Sequence, residues 1–325
     1  MFTRMLGANG PEVTVAGFGA WAIGGMNWGP TDDAESRQAI HAALDQGVTF
    51  LDTADVYGHG HSENLIGQVL AERSAAEREA VLVATKAGND FSHARPEDDQ
   101  GYGPIVPNYR KDYLIAAAEA SLRRLGLDCL PLLQLHSPTT EMLDTSEAFE
   151  ALATLKQQGK IRLGGLSIQS FRETDQARFL EPQRDVLDVI QVRYNLLERE
   201  AEKVLFPEAA RLGIGVIVRI PLLFGFLTGK FTAQSTFLPE DHRSMNLSSD
   251  KLIAYLRQLE ALAPLFARNG DQSMATVALR FCVTHPATST VIPGAKRPSQ
   301  VNENSRVGQL GPLTDADMAL LPPLN

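Results

Sequence analysis

Eight short apolar runs recur along this chain, most of them followed by a stretch with helical periodicity, and that alternation limits the folds open to it. The runs cover residues 15–19, 48–52, 81–86, 130–136, 161–167, 186–192, 214–219 and 288–293. They are rich in Val, Ile and Leu, as in strands of a parallel sheet buried on both faces. Between them, residues 33–46, 62–73, 111–125 and 146–158 carry apolar side chains at helical spacing. Asp33 and Ser62 stand where helix N-caps are expected, and Gly47, Gly126 and Gly159 where helices stop. This repetition of strand and helix predicts a (β/α)8 TIM barrel. An open doubly wound sheet is the competing arrangement, but no Pro/Ser/Gly-rich linker divides the chain, and residues 1–325 read as one domain. Asn9-Gly10 between two short apolar pieces predicts a β-hairpin ahead of the barrel. Two long connections, 89–110 and 224–270, leave C-terminal strand ends and are expected to hang over the barrel mouth. The second contains an amphipathic stretch at 250–268.

Charge and cysteine usage narrow the function. With 30 Lys+Arg against 39 Asp+Glu, a formal net charge of −9, the chain lacks the cation clusters that nucleic acid or an anionic membrane demands. The two cysteines, Cys129 and Cys282, form no CxxC pair. No apolar stretch reaches transmembrane length or makes a signal-peptide core. A cytoplasmic protein of enzyme size is expected.

The residues that can do chemistry gather at strand ends. The second run breaks into Asp52-Thr53-Ala54-Asp55-Val56-Tyr57-Gly58, the third ends in Lys86 and the fourth in His136. The C-terminal rim is where parallel α/β folds hold their active sites. Taken singly, Tyr57 reads as a half-buried loop residue, Lys86 as a rim lysine or a Schiff-base former, and His136 as a satisfied rim histidine. Neighbouring strands bring the four together. Asp52 can then hold Lys86 charged, and Lys86 can lower the pKa of Tyr57 from its reference near ~10. The product is a phenol suited to protonating a carbonyl oxygen or deprotonating an alcohol. Two weaker patterns compete. Gly17-Phe18-Gly19-Ala20-Trp21-Ala22 matches GxGxxA, but Gly24 and Gly25 keep irregular a stretch that should open into a helix. His59-Gly60-His61 has the spacing of a metal pair, yet a metal site there needs further ligands and would set Lys86 beside the ion. Solvated loop histidines are the favoured reading, and no metal is expected.

The ordered set of motifs resembles the aldo-keto reductase superfamily, in particular its bacterial general-stress and channel-subunit branch. The resemblance rests on Asp52-Thr53-Ala54, Tyr57-Gly58, Ser62-Glu63, Lys86 and Leu133-Gln134-Leu135-His136. It continues through Gly164-Gly165-Leu166-Ser167, Gln191 with Tyr194-Asn195, Pro221-Leu222, Gly225 to Lys230, Gly294-Ala295-Lys296 and Glu303-Asn304. It implies a barrel that binds a nicotinamide cofactor across its C-terminal face without a Rossmann domain. Tyr57 is then the general acid and base, Lys86 tunes it, Asp52 holds the lysine and His136 orients the carbonyl. Ser167 and Gln191 hold the carboxamide, and Trp21 lines the pocket beside the nicotinamide. Leu222 and Gly225 to Lys230 wrap the pyrophosphate, while Glu303 and Asn304 read the adenine, with Pro221, Gly294, Lys296 and Gln300 in the same cofactor-binding set.

Departures from the family pattern are equally specific. Ile168 follows Ser167 where relatives commonly have Asn, so one carboxamide partner is absent. Arg219 stands where an aromatic residue usually stacks on the nicotinamide; a planar guanidinium also stacks, but it disfavours the oxidised, positive ring and so leans toward carbonyl reduction. The resemblance implies an NADP(H)-dependent oxidoreductase reducing an aldehyde or ketone, with NAD as the other possible cofactor. NADPH is favoured by Lys296 and Arg297 near the adenine-reading pair, although Gln300 replaces an arginine found in many relatives. A cofactor-bound redox sensor or regulatory subunit is the alternative.

Overall fold

The computed structural model describes residues 1–29, 31–94, 105–169 and 173–323. The chain opens with β1 (Thr3–Met5) and β2 (Glu12–Thr14), antiparallel with Thr3 opposite Thr14, as the Asn9-Gly10 turn predicts. Parallel strands follow: β3 (Phe18–Gly19), β4 (Phe50–Asp52), β5 (Leu82–Ala87), β8 (Leu130–His136), β9 (Ile161–Ser167), β10 (Val189–Arg193), β11 (Gly215–Arg219) and β12 (Thr288–Val291). They form one eight-stranded sheet in the order β12-β11-β10-β9-β8-β5-β4-β3. Its two edges meet, because the Gly17 amide donates to Val291 O at 2.8 Å and the Gly19 amide to Pro293 O at 3.1 Å. Sheet closure and the surrounding helices make this the expected (β/α)8 barrel.

Side-chain alternation explains how the barrel is filled and why its rim is polar. Successive residues of a strand point to opposite faces. Phe50, Leu82, Leu132, Leu163, Val189 and Ile217 share one buried cluster with Ala84, Ile292 and the hairpin residues Leu6 and Val13. The hairpin therefore plugs the N-terminal end of the barrel. Leu51, Val83, Leu133, Leu166, Ile190, Val216 and Val218 belong to the larger cluster between strands and helices. Two or four residues beyond the inner apolar layer, the same parity reaches Asp52, Lys86, Gln134, His136, Ser167, Gln191 and Arg219. The polar groups thus sit at the inner, C-terminal end of the barrel, where their mutual pairing offsets the cost of desolvation.

The connections refine the expected boundaries. The helix Asp33–Asp45 is capped by Asp32, whose carboxylate accepts the Glu35 amide at 3.0 Å, so the cap lies one residue before Asp33. Ser62 is not a cap either: helix His61–Ala71 starts after Gly60, and the Ser62 hydroxyl donates to Ala20 O at 3.0 Å. Gly47, Gly126 and Gly159 do end their helices, with φ of 80°, 67° and 70°. The amphipathic stretch divides into Ser249–Glu260 and Ala263–Arg268. Within the first long connection, β6 (Asn89–Asp90) and β7 (Val106–Pro107) pair antiparallel. Its middle, 95–104, lies outside the described residues.

Candidate active site

Lys86 is buried behind the rim with its ammonium fully engaged. Its Nζ donates to Asp52 Oδ1 at 2.6 Å, to Thr53 O at 2.7 Å and to the Tyr57 hydroxyl at 3.4 Å. The His136 ring meets Tyr57 edge-on at 5.8 Å between centroids. Burial, then the charges of Lys86 and Arg219, holds His136 well below the usual histidine range, so its imidazole is neutral. The Tyr57 phenol moves in the direction opposite to the sequence expectation: burial first, then Asp52, pushes its pKa upward, with Arg219 opposing. Loss of hydration outweighs the lysine, whose own pKa is lowered, chiefly by burial. Tyr57 is consequently a protonated phenol at neutral pH, which is the form a proton donor needs.

The expected site residues converge on one cleft of about 660 Å³. Its wall includes Trp21, Asp52, Tyr57, His136, Ser167, Gln191, Arg219, Pro221, Leu222, Gly225, Lys230, Gly294, Lys296, Gln300, Glu303 and Asn304. Lys86 stands behind that wall, reaching the cleft only through Tyr57 and Asp52. Ser167 Oγ is 3.2 Å from Ser137 Oγ, and the Gln191 amide nitrogen donates to Asp52 Oδ2 at 2.7 Å. Arg219 Nη2 donates to Ile168 O at 3.0 Å, which keeps the guanidinium at the cleft edge. Beyond it the backbone is strained: Ile220 has φ 56° and Phe224 φ 56°, a region β-branched and bulky residues rarely adopt. Both line the cleft, and such strain persists only where packing enforces it.

Gln300, also in the cleft wall, has its side-chain oxygen committed to the backbone. Its side-chain oxygen accepts the amides of Lys296 at 2.8 Å and Arg297 at 3.2 Å, capping the helix Pro298–Ser305. Lys296 Nζ donates to Trp28 O at 2.8 Å, and Arg297 pairs with Glu35 at 3.3 Å. The two histidines of the HxH pattern are parted: His59 stacks on Phe91 at 5.0 Å, while His61 Nε2 contacts Asp33 at 2.8 Å. Among the described residues, no three His, Cys, Asp or Glu side chains gather as a metal site.

The cleft wall carries the cations Arg219, Lys230, Arg243, Lys296 and Arg297 together with the acids Asp32, Glu35, Asp52 and Glu303. The sequence profile of the Aldo/keto reductase family matches residues 16–324. The chain belongs to the aldo-keto reductase family. It is 33% identical over 300 residues to the aldo-keto reductase YhdN of Bacillus subtilis (strain 168), covering 92% of this chain and 86% of that one. It is 30% identical to the NADH-specific methylglyoxal reductase of Escherichia coli (strain K12), covering 97% and 96% of the two chains. The structure of the glycerol dehydrogenase AKR11B4 from Gluconobacter oxydans superposes with a TM-score of 0.80 at 31% identity, covering 99% and 97%. As a member of this family the chain is an NAD(P)H-dependent oxidoreductase. No helix among the described residues is long and apolar enough to cross a membrane.

Sequence reasoning assigned no role to several residues around this aldo-keto reductase site. Trp28 and His242 join Trp21 in an aromatic cluster: His242 lies 4.7 Å from Trp21 and 4.2 Å from Trp28, and its amide donates to Asn27 O at 3.0 Å. Glu63, fully buried, accepts from Thr85 Oγ1 at 2.5 Å and from Arg124 Nε at 2.6 Å, which ties the helix His61–Ala71 to β5 and to the helix Lys111–Leu125. Gln134 sits inside the barrel beside Asp52.

Asp55 is buried with no hydrogen-bond partner for either oxygen among the described residues. Burial first, then Glu63, pushes its carboxyl well above the usual range. A carboxyl whose folded pKa is raised supports the fold fully below its unfolded pKa near ~3.9, and that support is lost as pH rises through the folded value. Asp55→Asn, neutral throughout, is expected to gain stability over the parent as pH rises. Denaturant midpoints of both proteins at pH 4 and pH 8 check this. A difference that does not grow with pH would show that Asp55 is not held neutral.

Proposed function

We infer that this aldo-keto reductase reduces an aldehyde or ketone to the alcohol with NADP(H), Tyr57 supplying the proton. The observation that carries the reading is the convergence of the Tyr57 hydroxyl, a neutral His136 and the Lys86 ammonium at one end of the cleft. A carbonyl oxygen placed there is polarised by His136 and faces the phenol. Tyr57 gives up its proton as negative charge grows on that oxygen, and Lys86 at 3.4 Å stabilises the phenolate left behind. Asp52 keeps the lysine charged and aimed. A bound dihydronicotinamide supplies the hydride; the chain supplies position and electrostatics. Trp21, Ile105 and Asn89 wall the space in front of Tyr57, and a single barrel unit suffices for all these roles. Both cysteines are free thiols, in keeping with a cytoplasmic location.

Consumption of reduced cofactor, followed by absorbance across a panel of aldehydes and ketones, tests this reading. Tight cofactor binding without turnover of any carbonyl would replace it with the sensor role.

The preference for NADPH rests on the cations at the adenine end. Lys296 and Arg297 line the cleft beside Glu303 and Asn304, and an Arg or Lys there suits a ribose 2′-phosphate. Glu35 opposes this, since its carboxylate pairs with Arg297 and would suit a bare ribose hydroxyl, the arrangement favouring NADH. Replacing both Lys296 and Arg297 by Ala is expected to weaken NADPH by about tenfold or more, the scale of lost charge-assisted hydrogen bonds, and NADH little. Fluorescence titration with each cofactor measures it. Equal losses for both cofactors, or none, would move the phosphate site elsewhere.

A further inference from the structure

Asp52 has two carboxylate oxygens, and only one of them serves Lys86. The other, Oδ2, accepts the Gln191 amide at 2.7 Å and the Gln134 amide at 3.3 Å. Gln191 Nε2 also donates to Gln134 Oε1 at 3.1 Å. The three side chains form a closed triangle, buried within the barrel. Gln134 reaches across because β9 presents glycine at its neighbouring position: a Cβ on Gly165 would lie 2.8 Å from Gln134 Cγ.

A triangle of this kind has two self-consistent polarities. In one, both glutamine amides turn their NH2 groups inward toward Asp52; in the other, both are reversed. A carboxylate can only accept, whereas a carboxamide presents an acceptor on one side and donors on the other. The charge on Asp52 therefore excludes the reversed state. Both Gln191 N–H groups are spent on Asp52 and Gln134, so the group Gln191 has left for the cleft is its oxygen.

We propose that Asp52 is a specificity-determining residue as well as the partner of Lys86: through the Gln134–Gln191 triangle it turns the Gln191 oxygen toward the nicotinamide, so that this site selects cofactors carrying an N–H donor on the ring substituent. The inference rests on the nicotinamide reading of the cleft. It makes one carboxylate common to proton delivery through Oδ1 and cofactor head-group selection through Oδ2.

The test is equilibrium binding of reduced NADPH and of its 3-acetylpyridine analogue, in which a methyl group replaces the amide NH2. The wild type should bind the carboxamide form about tenfold more tightly, the scale set by one buried acceptor left unpaired. In Asp52→Asn, the Asn oxygen stays with Lys86 and its NH2 turns to Gln191, which reverses the triangle and presents donors to the cleft. The ratio is then expected to fall to about one or to invert, the opposite of a uniform loss of affinity from a loosened site. A folded Asp52→Asn protein that keeps the wild-type ratio overturns the proposal.

A second measurement needs no Asp52 variant. In the cofactor-free wild type, the side-chain NH2 protons of Gln191, assigned by comparison with Gln191→Leu, should exchange with solvent far more slowly than those of exposed glutamines. Exchange as fast as an exposed glutamine would place the NH2 in the cleft and overturn the proposal. A wild type that binds neither cofactor defeats the nicotinamide reading alone, because the exchange experiment still decides the polarity.

Discussion

Tyr57→Phe is expected to lose about 10²–10⁴-fold in kcat for carbonyl reduction, the usual contribution of a positioned general acid, while cofactor affinity changes little. The phenylalanine removes one oxygen from a ring that already packs against Trp21 at 6.1 Å and meets His136 at 5.8 Å, so the surrounding geometry has no reason to shift. The hydroxyl touches Lys86 at 3.4 Å and accounts for none of the contacts to Asp52 or Thr53, so the buried ion pair survives the change. On the proposed reading the phosphates and the adenine are held by other residues of the cleft, among them Lys230, Lys296 and Glu303. The measurement is single-turnover reduction with saturating cofactor, which isolates the chemical step from product release. A variant with the parent rate would assign proton delivery to another group, His136 being the one nearest by ring contact.

The extent to which the sequence anticipates this site follows from the range of each interaction. Barrel strands announce themselves because burial on both faces demands continuous apolar runs, and the rim acids and bases stand out where those runs end. Helix starts are harder, since Asp32 and Asp33 are chemically equal candidates and the backbone alone decides which side chain reaches the Glu35 amide. Gln134 is hidden inside Leu132-Leu133-Gln134-Leu135, and its meaning depends on Gln191, 57 positions later. Arg297 looks like a free phosphate ligand until folding brings Glu35, 262 positions away, against it. The Tyr57 pKa fails for a different reason. Counting nearby charges predicts a downward shift from Lys86, but the magnitude of desolvation is a property of the packed barrel, and it dominates. His242 comes from the second long connection, ahead of its amphipathic stretch, and only three-dimensional packing sets it against Trp21 and Trp28.

Lys86→Met should cost both stability and chemistry, and the two losses separate in a double variant. Lys86 and Asp52 are each almost wholly buried, with the ammonium 2.6 Å from Oδ1. Removing one member of such a pair leaves an uncompensated charge and typically costs about 3–5 kcal/mol. The two glutamine amides at Oδ2 soften this, because they keep Asp52 partly solvated by the protein. Removing both charges, in Asp52→Asn/Lys86→Met, should recover much of the stability, since a neutral pair of similar volume has no desolvation debt. Activity should not return with it. Asp52 already raises the phenol's pKa, and without the lysine nothing at 3.4 Å stabilises the phenolate. In the alcohol-oxidising direction, where Tyr57 must first lose its proton, the rise of kcat/KM with pH is therefore expected to move to higher pH in Lys86→Met. Denaturant unfolding of the three proteins and the pH dependence of kcat/KM for the single variant supply the readings. A folded Lys86→Met enzyme with the parent's pH profile would mean that the lysine holds Asp52 in place without acting on Tyr57.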